Sequence, residues 1–226
     1  MKQSRLKFRA HIDAGEVSAL LQIPDNPIGI ATLAHGAGAG MEHPNMQAIS
    51  EALVRQNLAT FRYQFPFMQR GGGRDSLDVS LATVQQATRT ARQSVPSVPL
   101  IAGGHSFGGR MTALAAIEEA LPEASGLFFC SYPLHAAGKP SADRAEHLPK
   151  IKLPILFISG TRDPMMTFDL LKPTLTALGD RATFKWLETG DHGYKTLKRV
   201  RPPEDNIFEQ LSQILTDWFQ TLPCKA

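Results

Sequence analysis

Residues 98–108 read Val98-Pro99-Leu100-Ile101-Ala102-Gly103-Gly104-His105-Ser106-Phe107-Gly108. A short apolar run leads into a serine with glycines two positions before and two after it, and an amphipathic stretch begins near Phe107. Such a run reads as a buried strand and the periodic stretch as a helix, so the chain turns sharply from one to the other at Ser106. A serine hydroxyl is a weak nucleophile unless it is exposed on a tight turn and hydrogen-bonded to a base. The two glycines let strand and helix pass close together, and the helix N-terminus points its positive dipole end at the reacting centre. A Gly-rich turn whose serine only caps a helix is the plainer alternative. The strand before and the helix after it favour a nucleophile.

Outward from this elbow, short apolar runs alternate with longer amphipathic ones. Candidate strands are residues 5–12, 16–23, 28–35, 58–63, 98–104, 126–131, 153–159 and 182–187. Candidate helices are 44–57, 75–94, 107–121, 164–178 and 204–220, with a weaker one at 143–149. Pro44 and Pro164 sit where a first-turn proline is tolerated, and Asp75 is a candidate cap. The runs 28–35 and 153–159 are almost continuously apolar, as strands buried on both faces of a parallel sheet are. The expected fold is α/β: one domain over 1–226, with a mostly parallel twisted sheet of about eight strands and helices on both faces. The turn at Asp13-Ala14-Gly15 suggests an antiparallel hairpin at one edge. Residues 64–74 and 131–143 read as loops, candidates for lids or binding loops but too short for a large cap.

Two further residues complete the chemistry. His192 follows the last candidate strand and Asp163 follows the one before it, both at strand C-terminal ends, where open α/β sheets collect their sites. The order Ser106, Asp163, His192 is that of a serine triad built on such a sheet. His192 would take and return the Ser106 proton, and Asp163 would fix its tautomer. Asp191 is a rival acid, ranked lower because side chains of adjacent residues diverge. Of the other histidines, His11 reads as surface, His135 and His147 fall in a loop and near a short helix, and His105 reads as support within the elbow. His35 and His43 have no Cys or carboxylate cluster beside them, so no metal is expected.

After the strand 28–35 comes Gly36-Ala37-Gly38-Ala39-Gly40-Met41. Backbone N–H groups preorganised toward a developing oxyanion stabilise acyl transfer. Ala37 and Phe107 are the expected donors. The turn lacks the Gly-Lys-Ser/Thr ending of a phosphate loop and the spacing of a dinucleotide fingerprint. Met41, Phe67 and Met165 are candidates for an apolar acyl pocket; core filling is the competing reading.

Composition sets outer bounds. The 226 residues are 42% hydrophobic and 20% charged, with a net charge of +3. The basic runs 195–201 and around Arg70 and Arg74 lack interleaved aromatic residues, which argues against nucleic-acid binding and leaves room for attraction of anionic substrates. Of the two cysteines, Cys130 reads as a buried thiol and Cys224 as a surface one, which suits a reducing compartment. Without a secretory signal or an apolar run of membrane-spanning length, the expected location is the cytoplasm.

With these motifs in hand, the chain resembles the α/β-hydrolase superfamily through His35-Gly36-Ala37-Gly38, Gly104-His105-Ser106-Phe107-Gly108, Asp163 and His192. More narrowly it resembles the small cap-less branch allied to the dienelactone hydrolases. Those use a cysteine nucleophile, whereas this chain has Ser106, which turns the implied activity from lactones toward carboxylic esters or thioesters. The reading that follows is a cofactor-independent serine hydrolase of a small-molecule ester or thioester. A peptidase using the same triad and a non-catalytic interaction module are the competing readings.

Overall fold

The run beginning at Ile28 is apolar because both of its faces are covered. In the computed structural model, which describes residues 1–197, 199–202 and 205–223 apart from the Glu118 side chain, it forms strand β3 (Gly29–Ala34). Successive side chains of a strand point to opposite faces. Ile30 and Ala34 join a buried cluster with Val84, Ala87, Leu100 and Ala102. Ala31 and Leu33 join a second cluster with Met46, Ile49, Leu211 and Leu215 on the other face.

Among the described residues β3 is central to one eight-stranded sheet. The others are β1 (Lys2–His11), β2 (Gly15–Ile23), β4 (Leu58–Tyr63), β5 (Leu100–His105), β6 (Ala124–Cys130), β7 (Ile155–Gly160) and β8 (Ala182–Leu187). They lie in the order β1-β2-β4-β3-β5-β6-β7-β8. From β4 to β8 all pairings are parallel. The hairpin of β1 and β2 adds the expected antiparallel edge, joined to β4 through β2. Helices α1 (Pro44–Arg55) and α6 (Ile207–Gln220) cover one face. Helices α3 (Leu77–Ser94), α4 (Phe107–Ala115) and α5 (Phe168–Leu178) cover the other; α2 (Pro66–Arg70) is a short helix after β4. Every parallel strand therefore ends at the same edge of the sheet, and the loops leaving that edge meet.

Several sequence expectations need correction. Residues 64–74 are not wholly a loop: α2 occupies their first half and carries Phe67 inward. Asp75 is not the cap of α3. Ser76 caps it, accepting from Val79 N at 3.3 Å, because the Asp75 carboxylate is engaged by Phe67 N at 2.7 Å and by Arg70. Pro164 does not open a helix. Asp163 Oδ1 accepts from Met165 N at 2.8 Å and its carbonyl from Met166 N at 3.3 Å, a local turn that defers α5 to Phe168. The helix expected over 107–121 stops at Ala115 and passes into a 3₁₀ turn, and 143–149 resolves into two such turns. His11 is not a free surface residue but lies against Asp78, 3.2 Å away. Cys130 is buried in β6, where desolvation pushes its thiol up to about 12 and leaves it unreactive. Cys224 and the start of the helix expected at 204 lie outside the described residues.

Candidate active site

Ser106 sits between β5 and α4 with φ of 52° and ψ of −116°, a conformation L-residues rarely adopt. The turn holds because strand and helix are pressed together. A Cβ placed on Gly104 or on Gly108 would come within 2.3 Å of the Ala34 carbonyl oxygen of β3. The close approach that these two glycines allow fixes the serine on the crest of the turn, where strain of this kind is kept by its surroundings.

The loops after β7 and β8 bring the other two side chains to it. His192 Nε2 lies 2.8 Å from Ser106 Oγ. His192 Nδ1 lies 2.8 and 2.9 Å from the two Asp163 oxygens. The Asp163 side chain is fully buried. A carboxylate only accepts, so Nδ1 carries the ring proton and donates it, leaving Nε2 to accept from the serine hydroxyl. Asp191 is turned away: its Oδ1 accepts from Gly193 N and Lys195 N, each at 2.9 Å, and closes the loop that presents the histidine. Asn45 at the start of α1 fastens the same loop, donating from Nδ2 to the Gly193 carbonyl at 2.7 Å.

His105 and His35, singled out by their positions next to the motifs, are structural partners. The His105 ring packs against that of His192, with centroids 5.3 Å apart, and desolvation lowers its pKa to about 4. His35 is fully buried, and desolvation holds it near 4 as well. Neutral His35 donates from Nδ1 to the Gly36 carbonyl at 2.8 Å and accepts at Nε2 from Phe65 N at 3.0 Å. It thereby couples the glycine-rich turn to the segment after β4.

That turn is clamped further along by two residues whose roles sequence reading missed. Gln64 Oε1 accepts from Met41 N at 3.0 Å, and Arg62 donates to the Met41 carbonyl at 2.9 Å. Both belong to β4 or its immediate exit, and nothing local in the sequence points from there to residue 41. The N–H groups of Ala37, in this turn, and of Phe107, the first residue of α4, have no acceptor among the described hydrogen bonds.

A cavity of about 400 Å³ opens over Ser106. Ala37, Phe107, His192 and Met165 line it, as the sequence suggests for a site there. Met41 and Phe67 do not. Met41 is 2% exposed, its side chain turned into the core by the clamp on its backbone, and Phe67 is 3% exposed. The Phe67 ring lies 6.0 Å from Phe65 and 5.8 Å from Phe107 between centroids, so it supports the elbow from behind. Arg74, from the basic stretch noted in the sequence, lines the same cavity together with Arg110 and Arg144, which no local pattern singled out. Among the described residues there is no cluster of His, Cys, Asp or Glu that could hold a metal ion, and no helix long and apolar enough to cross a membrane.

A mostly parallel eight-stranded sheet, with an elbow serine after β5 and an acid–histidine pair after β7 and β8, is the arrangement of an α/β-hydrolase without a large cap. The chain belongs to the alpha/beta hydrolase domain family, whose model matches residues 29–220. Its fold is similar to that of a dienelactone hydrolase from Anabaena variabilis, with a TM-score of 0.75 and 18% identity over 99% of this chain and 100% of that one. It is similar also to XC6422 from Xanthomonas campestris, described as an α/β serine hydrolase without lid. There the TM-score is 0.70 and the identity 17%, over 100% of this chain and 98% of that one. The esterase domain of a Rhodothermus marinus protein gives 0.73 and 17%, covering 98% and 99%.

Proposed function

We propose that the chain hydrolyses a carboxylic ester or thioester through an acyl-enzyme on Ser106. The observation that carries this reading is the continuous hydrogen-bonded line from Asp163 through His192 to Ser106 Oγ at the floor of an open cavity. Ser106 Oγ attacks the carbonyl carbon as His192 Nε2 takes its proton. The negative charge that develops on the carbonyl oxygen is met by the N–H groups of Ala37 and Phe107, each such donor lowering the barrier by about 3 kcal/mol. Collapse of this adduct breaks the bond to the alcohol or thiol, which leaves with the proton from His192. Water then repeats the sequence, His192 removing its proton, and releases the acid and free Ser106. Asp163 holds the tautomer and stabilises the imidazolium in both halves. The chemistry needs nothing beyond these groups and water, so no cofactor or metal is invoked. The similar structures described as an esterase domain and as a serine hydrolase without lid support the same class.

An active-site fluorophosphonate tests the reading. It should attach to Ser106 in the folded protein and fail to attach in Ser106→Ala. A panel of 4-nitrophenyl esters, acyl thioesters and aminoacyl anilides should then show turnover of the first two classes. Hydrolysis of the anilides alone would make the protein a peptidase, and an unlabelled, well-folded protein would make it a non-catalytic module.

A further inference from the structure

Among the described residues Arg5, Arg55, Arg70, Arg89 and Arg201 each meet a carboxylate, on Glu42, Glu209, Asp75, Glu123 and Asp205, while Arg62, Arg92, Arg162 and Arg181 donate to main-chain carbonyls. Arg74, Arg110 and Arg144 meet no carboxylate among the described residues, Arg144 donating only to the Pro133 carbonyl at 3.3 Å, and all three line the cavity over Ser106. No Asp or Glu among the described residues lines that cavity. Arg110 projects from the first turn of α4, one turn beyond the serine, and its Nε is buried without a hydrogen-bond partner. Arg144 lies in the segment after β6, its backbone held by Tyr132, whose hydroxyl donates to the Arg144 carbonyl at 2.6 Å. Arg74 follows the Gly71-Gly72-Gly73 stretch and sits over the Phe107 ring, 5.5 Å from its centroid. Burial opposes the charge of Arg110, and Arg144 and Arg74 oppose it further.

Like charges gathered around a buried donor with no acceptor raise the free energy of the empty protein, and an anion placed among them recovers it. The number of charges selects the anion. A single carboxylate is satisfied by one bidentate guanidinium, which would leave two arginines uncompensated. Asp163 lies beneath the cavity with its carboxylate taken by His192 Nδ1, so three guanidinium groups face the cavity without a carboxylate in its lining. A phosphate monoester carries about −1.5 to −2 at neutral pH, with three acceptor oxygens to share. The geometry points to a phosphoryl-binding subsite formed by Arg74, Arg110 and Arg144 beside Ser106, so that the ester or thioester cleaved here carries a phosphate group. This assignment rests on the hydrolase reading above and narrows its substrate class.

The test uses the full chain. Fluorophosphonate labelling of Ser106 is timed in inorganic phosphate and, at matched ionic strength, in acetate and in chloride. Phosphate should slow labelling, and the other two should not. kcat/KM is then compared between the acetyl ester of glycerol 3-phosphate, monoacetin and 3-acetoxypropanoate. The phosphorylated ester should lead the neutral one by about tenfold or more, the gain of one or two charge-assisted hydrogen bonds. That ratio should fall by about tenfold in Arg110→Gln and in Arg144→Gln, with partial return in Arg110→Lys. Exposed Arg74→Gln should lower it too, and serves if either of the others fails to fold. Normal labelling with equal effects of all three salts, or with a ratio near one, would overturn the phosphate subsite and leave the hydrolase standing. An acetoxypropanoate rate equal to that of the phosphate ester would overturn phosphate in favour of a carboxylate. Absence of labelling in folded protein would overturn both.

Discussion

The Nε2 of His105 lies 2.7 Å from the main-chain carbonyl oxygen of His192. Because desolvation holds His105 near a pKa of 4, its ring is neutral at physiological pH, and the nitrogen facing a carbonyl must carry the hydrogen. The residue that precedes Ser106, the proposed nucleophile, thus donates to the backbone of its proposed base. His105→Phe keeps a ring in place but removes this bond. We expect kcat to fall by roughly threefold to tenfold, the worth of a net hydrogen bond, with KM nearly constant. Steady-state kinetics on a neutral 4-nitrophenyl ester decide it, and an unchanged kcat would sink the positioning role.

His35 makes the protein acid-sensitive. Its folded-state pKa is depressed from 6.5 to about 4, so between these values the unfolded chain binds more protons than the folded one. Stability contributed by neutral His35 is therefore present above about pH 6.5 and lost as the pH falls toward 4, by an amount on the order of 3 kcal/mol as an upper bound. Urea midpoints measured at pH 7 and pH 5 should decline steeply in the parent and less steeply in His35→Gln. Parallel declines would exclude His35 as the source.

The two acids near His192 should separate cleanly. Asp163→Asn would leave the imidazole in the wrong tautomer, and kcat should fall by about a thousandfold to ten-thousandfold. Asp191→Asn keeps an amide oxygen to accept from Gly193 N and Lys195 N and loses only the charge, and should cost about tenfold or less. A larger loss in Asp191→Asn than in Asp163→Asn would reverse the assignment.

Ser106→Gly should be inactive and yet more stable than Ser106→Ala. Glycine adopts a φ of 52° without the steric penalty, so thermal unfolding should rise by the equivalent of about 1 kcal/mol. Equal melting temperatures for the two variants would mean that the elbow is not strained.

Gln64→Ala would leave Met41 N–H without its acceptor and loosen the turn that carries Ala37. Stability should drop by about 1–3 kcal/mol, and fluorophosphonate labelling of Ser106 should slow. Phe67→Ala, by contrast, should destabilise by about 3–5 kcal/mol as a core cavity without shifting acyl-chain preference. A change of preference with little loss of stability would return Phe67 to the substrate pocket.

What the sequence made legible was what local pattern encodes. The unbroken apolar runs of β3 and β7 announce burial on both faces, and the glycines around Ser106 announce an elbow. The fold class and a mostly parallel sheet followed from these, and the edge hairpin from the turn at Asp13-Ala14-Gly15. The convergence of Ser106, Asp163 and His192 could be anticipated because each follows a strand that ends at the same sheet edge. Where the reading failed, another hydrogen-bond or packing partner had displaced the expected one. Asp75 has the chemistry of a cap, but Phe67 N and Arg70 claim its carboxylate. Pro164 has the position of a helix start, but the Asp163 side chain ties the chain into a turn first. Met41 and Phe67 flank the right motifs, yet Gln64, Arg62 and the ring of Phe107 draw them beneath the site rather than into it. Arg110 and Arg144 were invisible for the complementary reason. They lie 34 positions apart in separate segments, and only the folded sheet sets them around one space.

The cavity over Ser106 is roofed by no helical flap among the described residues. Enzymes that must peel a cover away at an oil–water boundary stay quiet until droplets form and then switch on. Among the described residues nothing needs peeling. The rate should climb smoothly with dissolved substrate and show no jump as an emulsion appears.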